Sequence, residues 1–319
     1  MTPGPQHMHP VLTLTLNPAL DKGYLVERLV PDSKLRTPNP KVDPGGGGIN
    51  VARGLQRLGV DATAMYLAGG RNGDLLRHIL DMENIHSAIV EIPSETRENI
   101  TLQETGSGKQ YRIVPEGPTV DPAVADKVIE RILQYSPKPS YIVASGSLPK
   151  GLPADFFARL VKAVKKTGAR CIVDTSGEPL RLAAEEGPYL LKPNLKELSE
   201  LAGGGHLELD QVDEAALSVI ARGHCDVAVV SMGGSGAIMV TSKGSFQVAA
   251  PTVKRMSTVG AGDSMVAGMV WAMEQGWEGR DVLCAGVAAG TAATMNPGTE
   301  LFKKEDVLRL LQWTRDRKH

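Results

Sequence analysis

Short apolar runs alternating with segments of helical period constrain this chain more than any other feature. "VLTLTLN" (11–17), "DATAMYLAG", "SYIVAS", "RCIVD", "YLLKPN" and "CDVAVVS" each read as a strand. Between them, "INVARGLQRLG" places Val51, Leu55 and Leu58 on one helical face and stops at Gly59. "NGDLLRHILDMEN" is a second helix, and "PADFFARLVKAVKKTG" a third, with Phe156, Leu160 and Val164 as its buried stripe. Strands that alternate with helices predict an α/β protein with a largely parallel, doubly wound sheet. Two places break the rhythm. "GYLVERLVPDSKLRTP" (23–38) and "NITLQETGSGKQYRIV" (99–114) read as short strands and hairpins, the second turning at "TGSGK". Strands inserted there are material for a small sheet acting as a lid. From residue 262 onward the pattern is almost wholly helical.

The 319 residues show no internal repeat and no linker long enough to separate independent domains. The expectation is a disordered, Pro-rich tail over residues 1–10 and one domain over residues 11–319, with lid strands drawn from about 23–42 and 97–115. A chain of this size buries about three quarters of its unfolded surface and needs no staple. The 35 basic and 36 acidic residues leave a net charge of −1, so no basic field draws nucleic acid or an anionic membrane. No run approaches the ~18 apolar residues of a membrane span, and the start lacks the apolar core of a signal peptide. Cys171, Cys225 and Cys284 match neither a disulfide framework nor a metal knuckle, and His7 and His9 in the tail make no metal site. These features predict a cytoplasmic protein with reduced thiols.

Four glycine-rich segments invite a phosphate: Gly45 to Gly48 before a helix, "SGSLPKG" (145–151) after a strand, "SMGGSGA" (231–237) after a strand, and "TVGAGDS" before a helix. None is a Walker A loop or completes G-x-G-x-x-G, so a nicotinamide enzyme is unsupported. Glycines that lead into a helix let an anion reach bare N–H groups where the helix dipole favours it. Loops after strands fall where open α/β sheets bind ligands. Asp263, in "GAGDS", is either a helix cap or a proton acceptor, and local physics favours the cap. Asn50 has a helix-start alternative, and Asp21, after "LNPAL", a turn-forming one.

Together these segments resemble the ribokinase-like carbohydrate kinases of the phosphofructokinase-B group. That family's early signature is seen as "PGGGGINVARGLQRLG" and its late one as "STVGAGDSMVAG", with "GSLPKG", "VDTSGE", "KPNLKEL" and "VVSMGGSGA" between them in the family's order. "LTLNPALD", "KLR" (34–36), "TRENI" and "QYRIV" look like the ATP-dependent minor-type 6-phosphofructokinases. The resemblance implies a ribokinase-like fold with a β-sheet lid and a glycolytic transfer of phosphate from ATP to the C1 hydroxyl of fructose 6-phosphate. Kinases of fructose 1-phosphate or tagatose 6-phosphate in the same family are the alternative. A catalytically silent sugar- or nucleotide-binding regulator is the alternative from another class, and an intact "GAGD" counts against it. A nucleoside kinase would have no use for a clamp on an acceptor's phosphate.

By position, the resemblance makes Asp263 the catalytic base, ionised near pH 7 and so a weak one, with the amides of Gly260, Ala261 and Gly262 as the anion hole. Asp21, Gly46, Gly47 and Asn50 would cradle the sugar, and Lys34, Arg36, Arg97 and Ser147 its phosphate. Arg97 read alone is a solvated lid charge. Lys192, Asn194 and Glu197 would serve the nucleotide, with Mg2+ reached through water from the last two, although Asn194 could simply cap the helix that follows. Ser231, Gly233, Gly234 and Gly236 would line the adenine and ribose. Carbonyls of Ser257, Val259, Ala293, Asn296 and Gly298 correspond to a K+ site. The partners implied are ATP, a hexose phosphate and a second copy of the chain, paired through the lid. Three positions depart from the family pattern: Lys150 in "GSLPKG", Glu116 in "VPEGP" and Glu300 after "NPGT".

Overall fold

The structure, a computed structural model, describes residues 11–317. The expected tail of residues 1–10, with His7 and His9, lies outside them. In chain order the strands are β1 (Val11–Thr15), β2 (Ala19–Val26), β3 (Lys41–Gly45), β4 (Ala62–Ala68), β5 (His86–Glu91), β6 (Arg97–Glu104) and β7 (Gln110–Ile113). They continue with β8 (Tyr141–Ser145), β9 (Arg170–Asp174), β10 (Leu190–Leu191), β11 (Val227–Ser231), β12 (Ala237–Thr241) and β13 (Gly244–Val248). The helices are α1 (Gly47–Leu58), α2 (Gly70–Met82), α3 (Ala123–Leu133), α4 (Phe156–Lys165), α5 (Gly177–Glu185), α6 (Leu195–Ala202), α7 (Val212–Ala221), α8 (Ala261–Glu274), α9 (Arg280–Thr294) and α10 (Lys304–Asp316).

Nine strands form the main sheet in the order β13-β12-β11-β10-β9-β8-β1-β4-β5. From β11 to β5 every pair is parallel, and β12 and β13 close one edge antiparallel. Alternate strand residues feed two cores. Val11, Tyr141 and Val143 pack with Leu55 of α1, Val266 of α8 and Val287 of α9. Leu12, Leu14, Ile142 and Ala144 pack with Phe156, Leu160 and Val164 of α4. Both faces are covered, which is why these strands read as nearly unbroken apolar runs. The chain leaves β1 for β4 and β5 on one side and returns to β8 on the other, so the order reverses between β1 and β8. Open α/β sheets bind ligands at the carboxyl side of such a switch point.

A separate four-stranded sheet, β3-β2-β6-β7, forms the lid. Its β6–β7 hairpin turns at residues 105–109, as the sequence predicts. The reading of residues 23–38 as short strands needs correction. β2 starts earlier, pairing with β3 and β6 from Ala19, and no strand occupies residues 27–40. Pro31, Pro38 and Pro40 remove the amide donors that a ladder there would need. The edge strand β5 and the β12–β13 hairpin escape the sequence reading as well. The C-terminal helices do follow the predicted pattern, and among the described residues no helix is long and apolar enough to cross a membrane.

Small residues seat α8 against its neighbours. A Cβ on Gly268 would lie 2.8 Å from that of Ala289 on α9, and one on Gly54 of α1 would lie 2.8 Å from that of Ala267 on α8. These approaches fix α8, and with it Asp263, relative to α1 and α9. Gly268→Ala should therefore destabilise the fold by about 1–3 kcal/mol through overpacking, read as a lower denaturation midpoint. An unchanged midpoint would mean that the α8–α9 contact has slack.

Candidate active site

Two helices, α1 and α8, begin beside the carboxyl ends of β1 and β8. Gly46, at φ 125, leads into α1, and a Cβ on Gly47 would collide with the Ser145 side chain and sit 3.0 Å from the Gly146 nitrogen. Only glycine lets the start of α1 lie this close to the end of β8. Thr15, the last residue of β1, accepts the Ile49 amide at 2.9 Å and pins the same turn to the other side of the switch point.

Asp263 comes from the start of α8 but does not cap it. Gly260, at φ 73, is the N-cap residue, and no side chain caps the helix. The carboxylate instead accepts the Asn50 Nδ2 at 2.9 Å, across 213 residues, and the Ser145 hydroxyl at 3.4 Å. Asn50 likewise spends its side-chain donor on Asp263 rather than on the start of α1. Burial pushes the Asp263 pKa up to about 6, and the Asp174 charge adds to the rise, while Asn50, Lys192 and Ser145 oppose it. The expectation of a weak base thus needs revision. Asp263 is still mostly ionised at pH 7, but it holds a proton more tightly than an exposed aspartate because the cleft solvates its charge poorly.

Among the described residues the amides of Gly260, Gly262 and Asp263 have no acceptor, while that of Ala261 reaches Thr258 O at 3.4 Å. These are the unsatisfied donors of a helix start, at the positive end of its dipole. Lys192, buried at the end of β10, brings a full charge to the same place. Its ammonium lies 3.1 Å from Asp174, and a Cβ on Gly262 would be 3.3 Å from it. Burial works against the Lys192 charge, yet Asp174 and Asp263 outweigh it and hold the pKa above its ordinary value. Ser145 and Asp174 give no signal in the sequence beyond ending strands.

On the lid side, Asp21 of β2 lies over Gly45 and accepts the Asn99 Nδ2 at 2.6 Å from its register partner on β6. Burial raises its pKa, partly offset by Asn99 and by the charges of Arg112 and Arg97. Arg97 donates to the carbonyls of Pro115 (2.9 Å) and Asn17 (3.0 Å), while its buried Nε–H has no partner among the described residues. Burial lowers its pKa, and Asp21 opposes that. Asn17, which sequence reasoning missed, donates to Ser147 Oγ at 3.1 Å and to Glu116 O at 3.2 Å, so it gathers Arg97, Ser147 and the 115–117 segment. Two of the odd positions explain each other, because Lys150 and Glu116 form an ion pair. Lys34 and Arg36 are exposed on the strandless 27–40 segment and make no hydrogen bond or ion pair among the described residues. The structure does not tie them to the Arg97 cluster.

A cavity beside Gly262 is lined by Ser231, Gly233, Gly234 and Gly236 and by Val253, Val287 and Thr291. Ala261 and Gly262 also line it, which puts the cavity against the start of α8. Arg255 also lines it, close over Gly234 and without a hydrogen bond or ion pair among the described residues. A lone arginine in a loop gave sequence reasoning nothing to notice. Asn194 and Glu197 form a capping box on α6: Asn194 Oδ1 accepts the Glu197 amide at 3.0 Å, and Glu197 accepts the Asn194 amide at 2.9 Å. The capping alternative for Asn194 therefore holds, and Glu197 keeps one carboxylate oxygen for a ligand. Among the described residues no three acidic, His or Cys side chains converge to hold a metal ion.

The carbonyls of Ser257, Val259, Asn296 and Gly298 accept no hydrogen bond among the described residues, and that of Ala293 accepts the Asn296 amide at 3.2 Å. The two segments are tied at Thr294 O, which takes the amides of Met256 (2.7 Å) and Ser257 (3.3 Å). Unpaired oxygen donors of this kind fit a hard cation such as K+. The cysteines are buried and free, with Cys171 and Cys225 pushed up to about 12 by burial.

The raised Asp263 pKa makes two expectations. Activity should fall on the acid side with an apparent pKa near 6 and lose that limb in Asp263→Asn. Because the folded pKa exceeds the ordinary 3.8, ionisation costs stability above about pH 6 and nothing below 3.8. Asp263→Asn should thus be the more stable protein at pH 8, with the gap closing as the pH falls through that window. Denaturation midpoints that differ equally at pH 4 and pH 8 would contradict the shift.

The chain matches the pfkB family carbohydrate kinases over residues 19–305. It is 41% identical over 301 residues to ATP-dependent 6-phosphofructokinase isozyme 2 of Escherichia coli (strain K12), covering 94% of this chain and 97% of that one. It is 32% identical over 297 residues to 1-phosphofructokinase of Bacillus subtilis (strain 168), covering 92% and 96%. Crystal structures of Escherichia coli phosphofructokinase-2 in complex with potassium and with fructose-6-phosphate superpose at TM-scores of 0.91 and 0.90, with 40% and 38% identity. Each covers 97% of this chain and all of the other. The chain belongs to the pfkB family of carbohydrate kinases.

Proposed function

We propose that this protein transfers the γ-phosphoryl group of ATP to the C1 hydroxyl of fructose 6-phosphate, giving fructose 1,6-bisphosphate and ADP. One observation supports the reading most: Asp263, the unpaired amides of Gly260 and Gly262, and Lys192 gather at the start of α8, whose Ala261 and Gly262 line the Ser231–Gly236 cavity, with α1 and the lid cluster of Asp21 and Arg97 as the sugar side. The sugar binds under the lid, its hydroxyls on Asp21, Asn50 and the Gly46–Gly47 turn. Its phosphate meets Arg97, whose Nε–H is unpaired, and Ser147, with Lys34 and Arg36 still free to join. ATP lies along the cavity, with its γ-phosphate over Gly260, Ala261 and Gly262.

Asp263 takes the proton of the C1 hydroxyl as that oxygen bonds to the γ-phosphorus and the bond to ADP breaks. Such transfers depend on positioning and charge stabilisation more than on base strength. The amides and Lys192 receive the charge that builds on the transferred group. Asn194 and Glu197 would hold Mg2+ through water, and the ion bound with ATP would neutralise the phosphate charge. K+ fits the carbonyls of Ser257, Val259, Ala293, Asn296 and Gly298 beside the start of α8. A silent regulator would have no need of a raised-pKa carboxylate beside free amides.

We also infer a homodimer through the lid. Its outer strand β7 is exposed throughout, with Tyr111 and Ile113 at 42% and 53% exposure and Leu25 of β2 at 50%. An apolar edge of this kind invites pairing. Light scattering at micromolar concentration should give twice the 33.9 kDa of one chain, and a monomer would refute the pairing.

An ADP-release assay across fructose 6-phosphate, fructose 1-phosphate and tagatose 6-phosphate tests the substrate directly, and preference for either of the last two would overturn it. In the same assay Arg97→Ala should raise the KM for the sugar phosphate by roughly tenfold or more, as befits loss of a charged hydrogen bond worth about 1.5–3 kcal/mol. The KM for ATP should stay within about twofold. Equal effects on both substrates would make Arg97 structural.

A further inference from the structure

The loop between α9 and α10, residues 295–303, touches both the lid and the start of α8. On the lid side, the Thr299 hydroxyl donates to Asp43 Oδ2 at 3.0 Å. Asp43 sits on β3 in register with Asp21. Lys41, two residues earlier, reaches Asp43 at 3.4 Å and the Glu300 carboxylate at 3.6 Å. The third departure from the family pattern, Glu300, is thereby included in a lid contact.

On the other side, Leu301 is fully buried and holds φ 57, a left-handed conformation that a leucine keeps only when its surroundings impose it. Arg57 of α1 imposes it. Its Nη1 donates to the carbonyls on both sides of Leu301, Glu300 O at 2.6 Å and Phe302 O at 2.8 Å. Phe302 is buried in the core, so the far end of the loop is anchored. The outcome is a Leu301 Cδ2 lodged where a Cβ on Gly260 would come within 2.8 Å. The residue that opens α8 is thus backed by a side chain whose position depends on one arginine and one lid contact.

We propose that this loop couples the lid to the start of α8, with Thr299 and Arg57 as positioning residues: movement of β3 is passed through Thr299 to the Arg57-clamped Leu301, and so to Gly260. The inference rests on the reading that a hexose phosphate binds under the lid. It adds that the sugar helps to set the anion hole before any nucleotide arrives.

Amide hydrogen exchange of the 258–264 segment tests the coupling, in the wild type and in Thr299→Val, which keeps the shape and removes only the donor. Without any ligand, cutting this lid contact should speed exchange at Ser264, whose amide donates to Gly260 O at 2.8 Å, by about threefold or more and leave β1 and β8 unchanged. With fructose 6-phosphate alone, at a saturation fixed by calorimetry, the wild type should slow exchange there by about fivefold. Thr299→Val should lose most of that slowing while its affinity for the sugar stays within about threefold. Turnover should fall in Thr299→Val with little change in either KM. Arg57→Met should speed exchange at Ser264 and lower turnover, and Arg57→Lys should restore some of both. Equal exchange in the wild type and Thr299→Val without ligand, or full slowing by the sugar in Thr299→Val, would overturn the coupling. Failure of fructose 6-phosphate to bind the wild type would strike the substrate reading alone, because the ligand-free arm decides the coupling without it.

Discussion

A single hydrogen bond, from Asn50 to Asp263, holds the starts of two helices face to face. α1 and α8 are far apart in the chain, yet each begins with a glycine at positive φ, and each turns its unpaired end toward the same space. Two helix N-termini aimed at one point make a site that favours negative charge before any side chain is counted. Burying a carboxylate there is costly, and the raised Asp263 pKa records that cost. Asn50, Ser145 and Lys192 keep it tolerable: Asn50 and Ser145 come from elements at the β1–β8 reversal, and Lys192 follows β10, two strands along the sheet.

Much of this was legible in the sequence because it is written in local chemistry. The period-2 and period-3.6 patterns gave the main strands and helices, since both faces of the sheet are buried and little else could satisfy them. Glycines at 46, 47 and 260 showed where backbone must come close or turn left-handed. What stayed hidden depends on distance. Ser145, Asp174 and Asn17 are ordinary residues until the fold places them beside Asp263, Lys192 and Arg97. At Asp263 local chemistry favoured the cap, and only the fold, which puts Gly260 at the N-cap and Asn50 against the carboxylate, removes that reading. At Asn194 the local reading was correct, since the capping box lies within four residues. Residues 27–40 were overread as strand because apolar residues there occur without the donors that pairing requires.

The positions that look anomalous one at a time make sense as partners. Lys150 and Glu116 join the loop after β8 to the segment whose carbonyls hold Arg97. Glu300 faces Lys41, while its own carbonyl is taken by Arg57. In both cases a charge on a loop is answered by an opposite charge on a neighbouring segment, so the surroundings of the cleft change without leaving an isolated ion.

The unpaired donors at the start of α8 belong to the main chain, which gives them a kind of immunity. Short of proline, no substitution can remove the N–H of Gly260 or Gly262, as it could remove a lysine or a serine. Any other change there acts by displacement: a side chain at 260 would push against Leu301, and one at 262 against the Lys192 ammonium. Sequence variation at these positions would therefore report on the shape of the turn and on its neighbours, while the number of donors stays fixed.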